Sequence, residues 1–251
     1  MRIIHVIGRS GSGKTTFILQ LAAELQKKGR VATIKHLGHH TFTLEPGKDT
    51  TLHYSTGVFA SAGIDGEKTV LTVRTNELGQ SIGVMGDLGI EYLIIEGYKS
   101  VVLPSIVLGD LESPCTVLRN PCLDEVVGAL DLFPEYFTQQ GLLLHLIGDL
   151  PRNEFYTYLT CSFPSSEPEG YAKFPPVPGR EVPVTSLLFG RIPGVAGIRT
   201  FCNPALPGMQ KPCILVAVAF HDPVNASEIL SRMELDFKEA MPADIRIFSG
   251  A

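Results

Sequence analysis

Residues 1–16 read MRIIHVIGRSGSGKTT, and this stretch decides how the chain folds. Residues 3–7 are mostly apolar and β-branched, which predicts a short buried strand. Gly8 to Thr15 then match G-x-x-x-x-G-K-[ST] in full. Residues 16–27, TFILQLAAELQK, place Phe17, Leu21 and Leu25 on one stripe, so a helix is expected to follow. Strand, glycine loop and helix in that order are the setting in which this motif cradles phosphate. Gly11 and Gly13 lack a Cβ and let the backbone curl around an anion, toward which the loop amides and the helix N-terminus then point. Lys14 is placed to reach the β- and γ-phosphates, and Thr15 to hold Mg²⁺ through its hydroxyl. The expected nucleotide-binding set is Gly8, Ser10, Gly11, Ser12, Gly13, Lys14, Thr15 and Thr16. The plain alternative is an ordinary glycine turn before a helix.

The chain has 251 residues, room for one large domain or two smaller ones, and 44% hydrophobic residues supply a core. Its formal net charge of −5 argues against nonspecific nucleic-acid binding, yet permits a phosphate loop, which needs only a local positive field. No apolar run reaches membrane-spanning length, so no membrane contact is expected. The opening strand runs straight into the loop, leaving no secretory leader. Cys115, Cys122, Cys161, Cys202 and Cys213 are odd in number and widely spaced, without a C-x-x-C pair. A cytoplasmic protein with free thiols is the expectation.

Further along, residues 31–34, VATI, predict a second strand ending at Lys35-His36. Residues just past such a strand end face the ligand crevice of an α/β protein. Lys35 and His36 are therefore candidates for contact with the nucleotide or a second substrate. His36, His39 and His40 also admit a metal-cluster reading or a plain surface reading. Asp49 either caps a helix around residues 50–57 or joins a Mg²⁺ site through water. Residues 58–63 and 69–74 suggest strands around a turn at Asp65-Gly66, and residues 76–88 a glycine-weakened helix. Tyr92 to Ile95 predict a buried strand with Glu96 at its end. A carboxylate there holds Mg²⁺ opposite Thr15; Asp is the usual acid, so Glu is a looser match. Its alternative is a surface pair with Lys99. Lys14, Thr15 and Glu96 form the expected catalytic set, and Thr15, Glu96 and Asp49 the expected metal set.

Residues 105–109 and 115–118 read as two more strands, and residues 123–133 as a helix. Residues 142–147, LLLHLI, fit either. The fold expected is α/β: a P-loop NTPase with a mostly parallel sheet and helices on both faces, over residues 1–150. Residues 151–183 read as a proline-rich linker or long loop. Residues 184–251 read as a small α+β domain, with a strand at 213–220, a helix at 226–239 behind Asn225, and a last strand at 244–248.

GRSGSGKTT, TIKHLGHHTF, PGKDT and YLIIEGYKS, in this order, resemble MobB, the molybdopterin-guanine dinucleotide biosynthesis adapter family, over residues 1–145. The resemblance implies a dimeric P-loop protein that binds GTP with Mg²⁺, hydrolyses it weakly, and works with a MobA-like nucleotidyltransferase. It implies that Lys48 and Asp49 match the family's Gly-Lys-Asp step, and Glu96 and Lys99 its Glu-Gly-x-Lys step. Lys35, His36, Lys48 and Lys99 become candidates for gripping a substrate or partner, such as the phosphate or pyranopterin of molybdopterin or the molybdenum cofactor. No N-K-x-D guanine-reading motif is present, so guanine preference rests on the resemblance. The run 213–242 is similar to the closing strand and helix of MoaE, the large subunit of molybdopterin synthase. That family's C-terminal active-site lysines find no match beyond Lys238. A P-loop small-molecule kinase and a non-hydrolysing nucleotide-binding module are the rival functions.

Overall fold

A computed structural model of the chain describes residues 1–38, 41–152, 154, 156–164, 194–204, 213–221 and 244–250. Its centre is a five-stranded sheet. The strands are β1 (Arg2–Gly8), β2 (Val31–Lys35), β5 (Tyr92–Glu96), β6 (Ser105–Leu108) and β7 (Thr116–Arg119), in the order β2-β5-β1-β6-β7. Every pairing in it is parallel. Helices cover both faces, as the strand–helix alternation predicts. On one face Ile4, Val6 and Ile94 pack on Ile18, Leu21 and Leu25 of α1 (Lys14–Gln26) and on Val126 of α4 (Leu123–Gly128). On the other, Ile3, Leu93 and Ile95 pack on Leu78 and Ile82 of α3 (Leu78–Asp87). Successive β1 residues thus feed opposite layers, the period-two rule of a strand buried on both sides. The α1 stripe differs from the sequence reading in one member: Ile18 is buried, whereas Phe17 is half-buried against the same cluster.

A separate module stands between α1 and α3 in sequence. It consists of α2 (Asp49–Ser55) and the antiparallel hairpin β3 (Ala60–Ile64) with β4 (Thr69–Val73). The expected turn is present. The Asp65 carboxylate accepts from the Glu67 and Lys68 amides at 2.8 Å each, and these two bonds hold its pKa below the usual carboxylate value. Asp49 is not the cap of α2. Lys48 occupies that position without a side-chain cap, and Asp49 is an acid in the first turn, where it favours the helix dipole.

The ambiguous run 142–147 lies in α5 (Gln139–Asp149). Thr138 starts this helix by accepting the Gly141 amide on its side-chain oxygen at 2.9 Å. Beyond it is an antiparallel sheet in the order β11-β8-β10-β9, made of β8 (Tyr156–Pro164), β9 (Val195–Asn203), β10 (Cys213–Phe220) and β11 (Asp244–Gly250). β8 corrects the linker reading, since nine of those residues are a paired strand. Its segment YTYLTCSF is rich in aromatic and β-branched residues, and most of the prolines that coloured the reading follow it. The strands at 213–220 and 244–248 stand as read, and the helix at 226–239 lies outside the described residues. Leu142, Leu143 and Leu146 of α5 share a core with Tyr156, Tyr158, Phe201 and Leu215 of this sheet. Asn203 ties the two together, accepting the Phe137 amide at 2.9 Å and donating to the Phe137 carbonyl at 2.6 Å.

Leu146 is 2% exposed at the centre of that contact. Leu146→Ala is expected to cost about 2–5 kcal/mol, read by chemical denaturation, with hydrogen exchange accelerating in β9 and β10 before β1 and β5.

Candidate nucleotide-binding site

The loop between β1 and α1 takes the curl its glycines permit. Gly11 has φ 77° and Gly13 has φ 80°, the left-handed region that only glycine enters without strain. Gly13 also caps α1, with no side chain closing the helix end. The amides of the first turn are therefore left to an outside acceptor. Gly8 is needed for a different reason. A Cβ there would lie 2.5 Å from the Leu108 carbonyl oxygen and 2.6 Å from Ser12 Oγ. It is the close approach of β6, not the ligand, that requires glycine. Ser10 and Thr16 are exposed along the loop and first turn, and Ser12 is half-buried.

Lys14 folds back across the loop. Its ammonium donates to the Arg9 carbonyl at 2.5 Å and lies 3.4 Å from Ser12 Oγ. Burial holds its pKa below the usual lysine value. Glu96 opposes that shift, and Lys99 and Lys35 reinforce it. Four charged groups from four segments thus act on one point. Glu96 is their shared counterion: Thr15 Oγ1 donates to its Oε1 at 3.3 Å, and Lys35 Nζ pairs with the same oxygen at 3.2 Å. The pairing expected as the alternative, Glu96 with Lys99, is replaced by Glu96 with Lys35, because β2 and β5 are neighbours and place the two residues in register.

The adjoining rim is tightly bent. Gly97 has φ 90° and Tyr98 has φ 50°. The Tyr98 ring stacks on His36, centroids 4.3 Å apart and planes 23° from parallel. A Cβ on Gly97 would lie 3.1 Å from His36 Cβ. On the other flank Arg9 pairs with Asp110 at 3.1 Å, and the Gly109 amide donates to Asn120 Oδ1 at 2.6 Å. Sequence reading passed over Arg9, Asp110 and Asn120, and it placed Gly97, Tyr98 and Lys99 on the rim without the stacking of Tyr98 on His36.

Lys48 and Asp49 are not drawn into this cluster by any hydrogen bond or ion pair among the described residues. Lys48 instead pairs with Glu45 at 3.6 Å. His39 and His40 lie outside the described residues, and among the described residues no group of three or more His, Cys, Asp or Glu side chains is arranged to hold a metal. A Mg²⁺ ion fits a sparser site. It takes few protein ligands, all oxygen, at about 2.0–2.1 Å with near-octahedral angles, which sets neighbouring ligands about 3 Å apart. Thr15 Oγ1 and Glu96 Oε1 are hard oxygen donors at close to that spacing. A cavity of about 280 Å³, lined in part by Arg30, Glu91, Tyr136, His145 and Asp149, opens elsewhere and includes no motif residue. We place the site at the loop because phosphate seats are shallow and built of amides, which cavity size does not register.

Residues 3–127 match the family model for molybdopterin guanine dinucleotide synthesis protein B. This N-terminal segment belongs to the MobB family. A putative molybdopterin-guanine dinucleotide biosynthesis adapter protein from Methanocaldococcus jannaschii is 33% identical over 112 residues, covering 43% of this chain and 47% of that protein. The chain thus spans about half the length of this curated relative. Among solved structures, Bacillus subtilis MobB is 22% identical, with a TM-score of 0.43, over 54% of this chain and 100% of that one. A MobB homolog from Bacillus stearothermophilus is 21% identical, with a TM-score of 0.36, over 52% and 94%. The MobB segment ends before α5, so the antiparallel sheet lies beyond it. No described helix is long and apolar enough to cross a membrane.

Gly13 and Ser10 separate backbone from side-chain roles in the loop. Gly13→Ala is expected to cost about 1–2 kcal/mol from its left-handed backbone. Ser10→Ala is expected to stay within about 0.5 kcal/mol. Denaturant unfolding of the two variants measures the difference.

Proposed function

We propose that the chain is a cytoplasmic GTP-binding adapter with weak Mg²⁺-dependent GTPase activity, serving molybdopterin guanine dinucleotide synthesis through its unit at residues 1–150. The observation that carries this reading is the convergence of Thr15, Glu96 and Lys14 at the curled loop. Loop amides and the α1 N-terminus accept the phosphates. Lys14 exchanges the Arg9 carbonyl for phosphate oxygens and offsets charge that develops on them. Mg²⁺, held by Thr15 and Glu96, would supply further charge neutralisation at the β- and γ-oxygens. The Glu96 carboxylate is already engaged by Lys35, and no second carboxylate joins it among the described contacts of the cluster. A site without a general base suits slow hydrolysis. The choice of guanine is supported by the family alone.

Lys35, Lys99 and the His36–Tyr98 stack form a cationic and aromatic rim, suited to a phosphorylated planar group such as molybdopterin. A kinase reading is weaker. Residues 101–150 hold one arginine, Arg119, and its guanidinium is committed to the Gly109 and Leu111 carbonyls at 3.0 and 3.1 Å. A homodimer is supported by the module of α2, β3 and β4, where Leu52, Phe59, Ile64, Val70 and Leu71 are all exposed, Ile64 at 80%. Isolated apolar side chains at a surface are ordinary, but a cluster on one module marks an interface. A MobA-like nucleotidyltransferase is the proposed downstream partner.

Calorimetric titration of the full chain tests the reading. Lys14→Ala is expected to weaken Mg²⁺-GTP binding at least about tenfold, about 1.4 kcal/mol, and unchanged affinity would contradict it. The pH dependence has a definite sign. Bound phosphate raises the depressed Lys14 pKa, so affinity is expected to fall as pH climbs through the free-state value. Lys14→Arg, whose guanidinium stays charged, should flatten that fall. In sedimentation, Ile64→Asp combined with Phe59→Asp is expected to yield monomers from a dimeric parent.

A further inference from the structure

His5 is the third residue of the run Ile3-Ile4-His5-Val6-Ile7, and it is fully buried on β1. A polar side chain at the centre of a parallel sheet needs partners, and His5 has two. Its Nε2 lies 2.6 Å from the Gly97 carbonyl oxygen, and its Nδ1 lies 2.8 Å from Ser105 Oγ. A carbonyl only accepts, so Nε2 carries a proton and donates to Gly97. Ser105, at the start of β6, shares its one hydroxyl proton between the unprotonated Nδ1 and the Leu103 carbonyl, which lies 2.6 Å away. One imidazole therefore braces both ends of the segment that leaves β5 after Glu96 and returns as β6.

That segment is the rim of the proposed Mg²⁺ site. It begins with Gly97 at φ 90° and Tyr98 at φ 50°, backbone conformations that persist only when surroundings impose them. Besides the stacking of Tyr98 on His36, two further hydrogen bonds hold this turn, the Gly97 amide on the Val6 carbonyl at 3.1 Å and the Val101 amide on the Tyr98 carbonyl at 2.8 Å. Of the three hydrogen bonds, only the His5 bond is made by a side chain. Gly97 follows Glu96 directly: the peptide between them is held by the sheet, its carbonyl accepting from the His36 amide at 2.9 Å and its amide donating to the Val6 carbonyl at 3.1 Å, and the His5 bond fixes the next peptide, where the chain turns away from the Glu96 side chain.

We propose that His5 is a positioning residue for the Mg²⁺-binding carboxylate. It holds the Gly97 carbonyl from beneath the sheet and so keeps Glu96 aimed at Thr15. It touches neither nucleotide nor metal. The inference rests on the Mg²⁺-nucleotide reading of the site for its consequence, and on the hydrogen bonds alone for its structural part.

The experiment compares His5→Leu with His5→Gln, whose amide retains a donor for Gly97. The first readout needs no nucleotide. Hydrogen exchange in the full chain is expected to accelerate at residues 97–101 in His5→Leu, but not in His5→Gln. The second readout is GTP affinity with Mg²⁺ and with EDTA. His5→Leu is expected to need about tenfold more Mg²⁺ for half-maximal effect, the size of change typical of residues that orient metal ligands. Its affinity in EDTA should be unchanged, and His5→Gln should recover most of the Mg²⁺ effect. Equal loss in Mg²⁺ and EDTA would show a merely structural residue and overturn the proposal, as would unchanged exchange at 97–101. If His5→Leu does not fold, Ser105→Ala, which frees the other ring nitrogen, is expected to show the same pattern with smaller amplitude, and absence of that pattern would overturn the proposal. A parent chain that binds no nucleotide would refute the proposed function, while the exchange result would still decide whether His5 braces the turn.

Discussion

β1 is paired in parallel along both edges, and the chemistry of the site follows from that constraint. On one edge the backbone of β6 comes so near that Gly8 has no room for a side chain. On the other, the register with β5 sets Val6 beside Glu96. The loop that follows Gly8 must therefore rise between a carboxylate and the Leu108–Asp110 segment. Its two left-handed glycines then turn it back into α1, so that Lys14 and Thr15 emerge over the end of β5. A shift of one residue in the pairing of β1 with β5 would carry Glu96 to the other face of the sheet.

The electrostatics of the cluster explain how an acidic chain can seat a polyanion. Lys14, Lys35 and Lys99 act on the same small volume, and one carboxylate partly balances them. Glu96 is only 13% exposed, while its partner Lys35 is 52% exposed. The carboxylate is held and the lysine is free to move. An exposed ion pair of this kind contributes little stability, so exchanging Lys35 for a divalent cation has little to overcome. In the site as proposed, the Glu96 oxygen that Thr15 and Lys35 now share would hold Mg²⁺, and Lys35 would be free to face phosphate. The resting contacts are then placeholders for the ligand's own: the Arg9 carbonyl for the γ-phosphate at Lys14, and Lys35 for the metal at Glu96.

What could be read from the sequence was local, and what could not depended on strand order. The motif from Gly8 to Thr15 announced itself because its whole pattern lies within eight residues. Glu96 was legible as an acid at the end of an apolar strand. Its pairing with Lys35 was not, since nothing in either segment says that β5 lies between β1 and β2. The Arg9–Asp110 pair was hidden for the same reason. Asp49 misled because an acid after a Gly-Lys step looks like a cap or a ligand, whereas Lys48 holds the cap position. β8 was submerged in a stretch judged by its prolines, although Tyr156–Thr160 reads Y-T-Y-L-T, rich in aromatic and β-branched residues. His5 carried a signal that went unused: one imidazole among four aliphatic neighbours has to be answered by a buried partner.

The central claim is that the bend from Gly8 to Thr15 receives a triphosphate together with a metal shared by Thr15 and Glu96. Substituting Mn²⁺ for Mg²⁺ and recording the spin-echo coupling to the phosphorus nuclei of bound GTP tests it most directly. The account predicts one bound metal per chain, strong phosphorus coupling, and loss of that tightly bound species in Thr15→Ala. A chain that binds no Mn²⁺-GTP, or one whose bound metal is indifferent to Thr15, would contradict it.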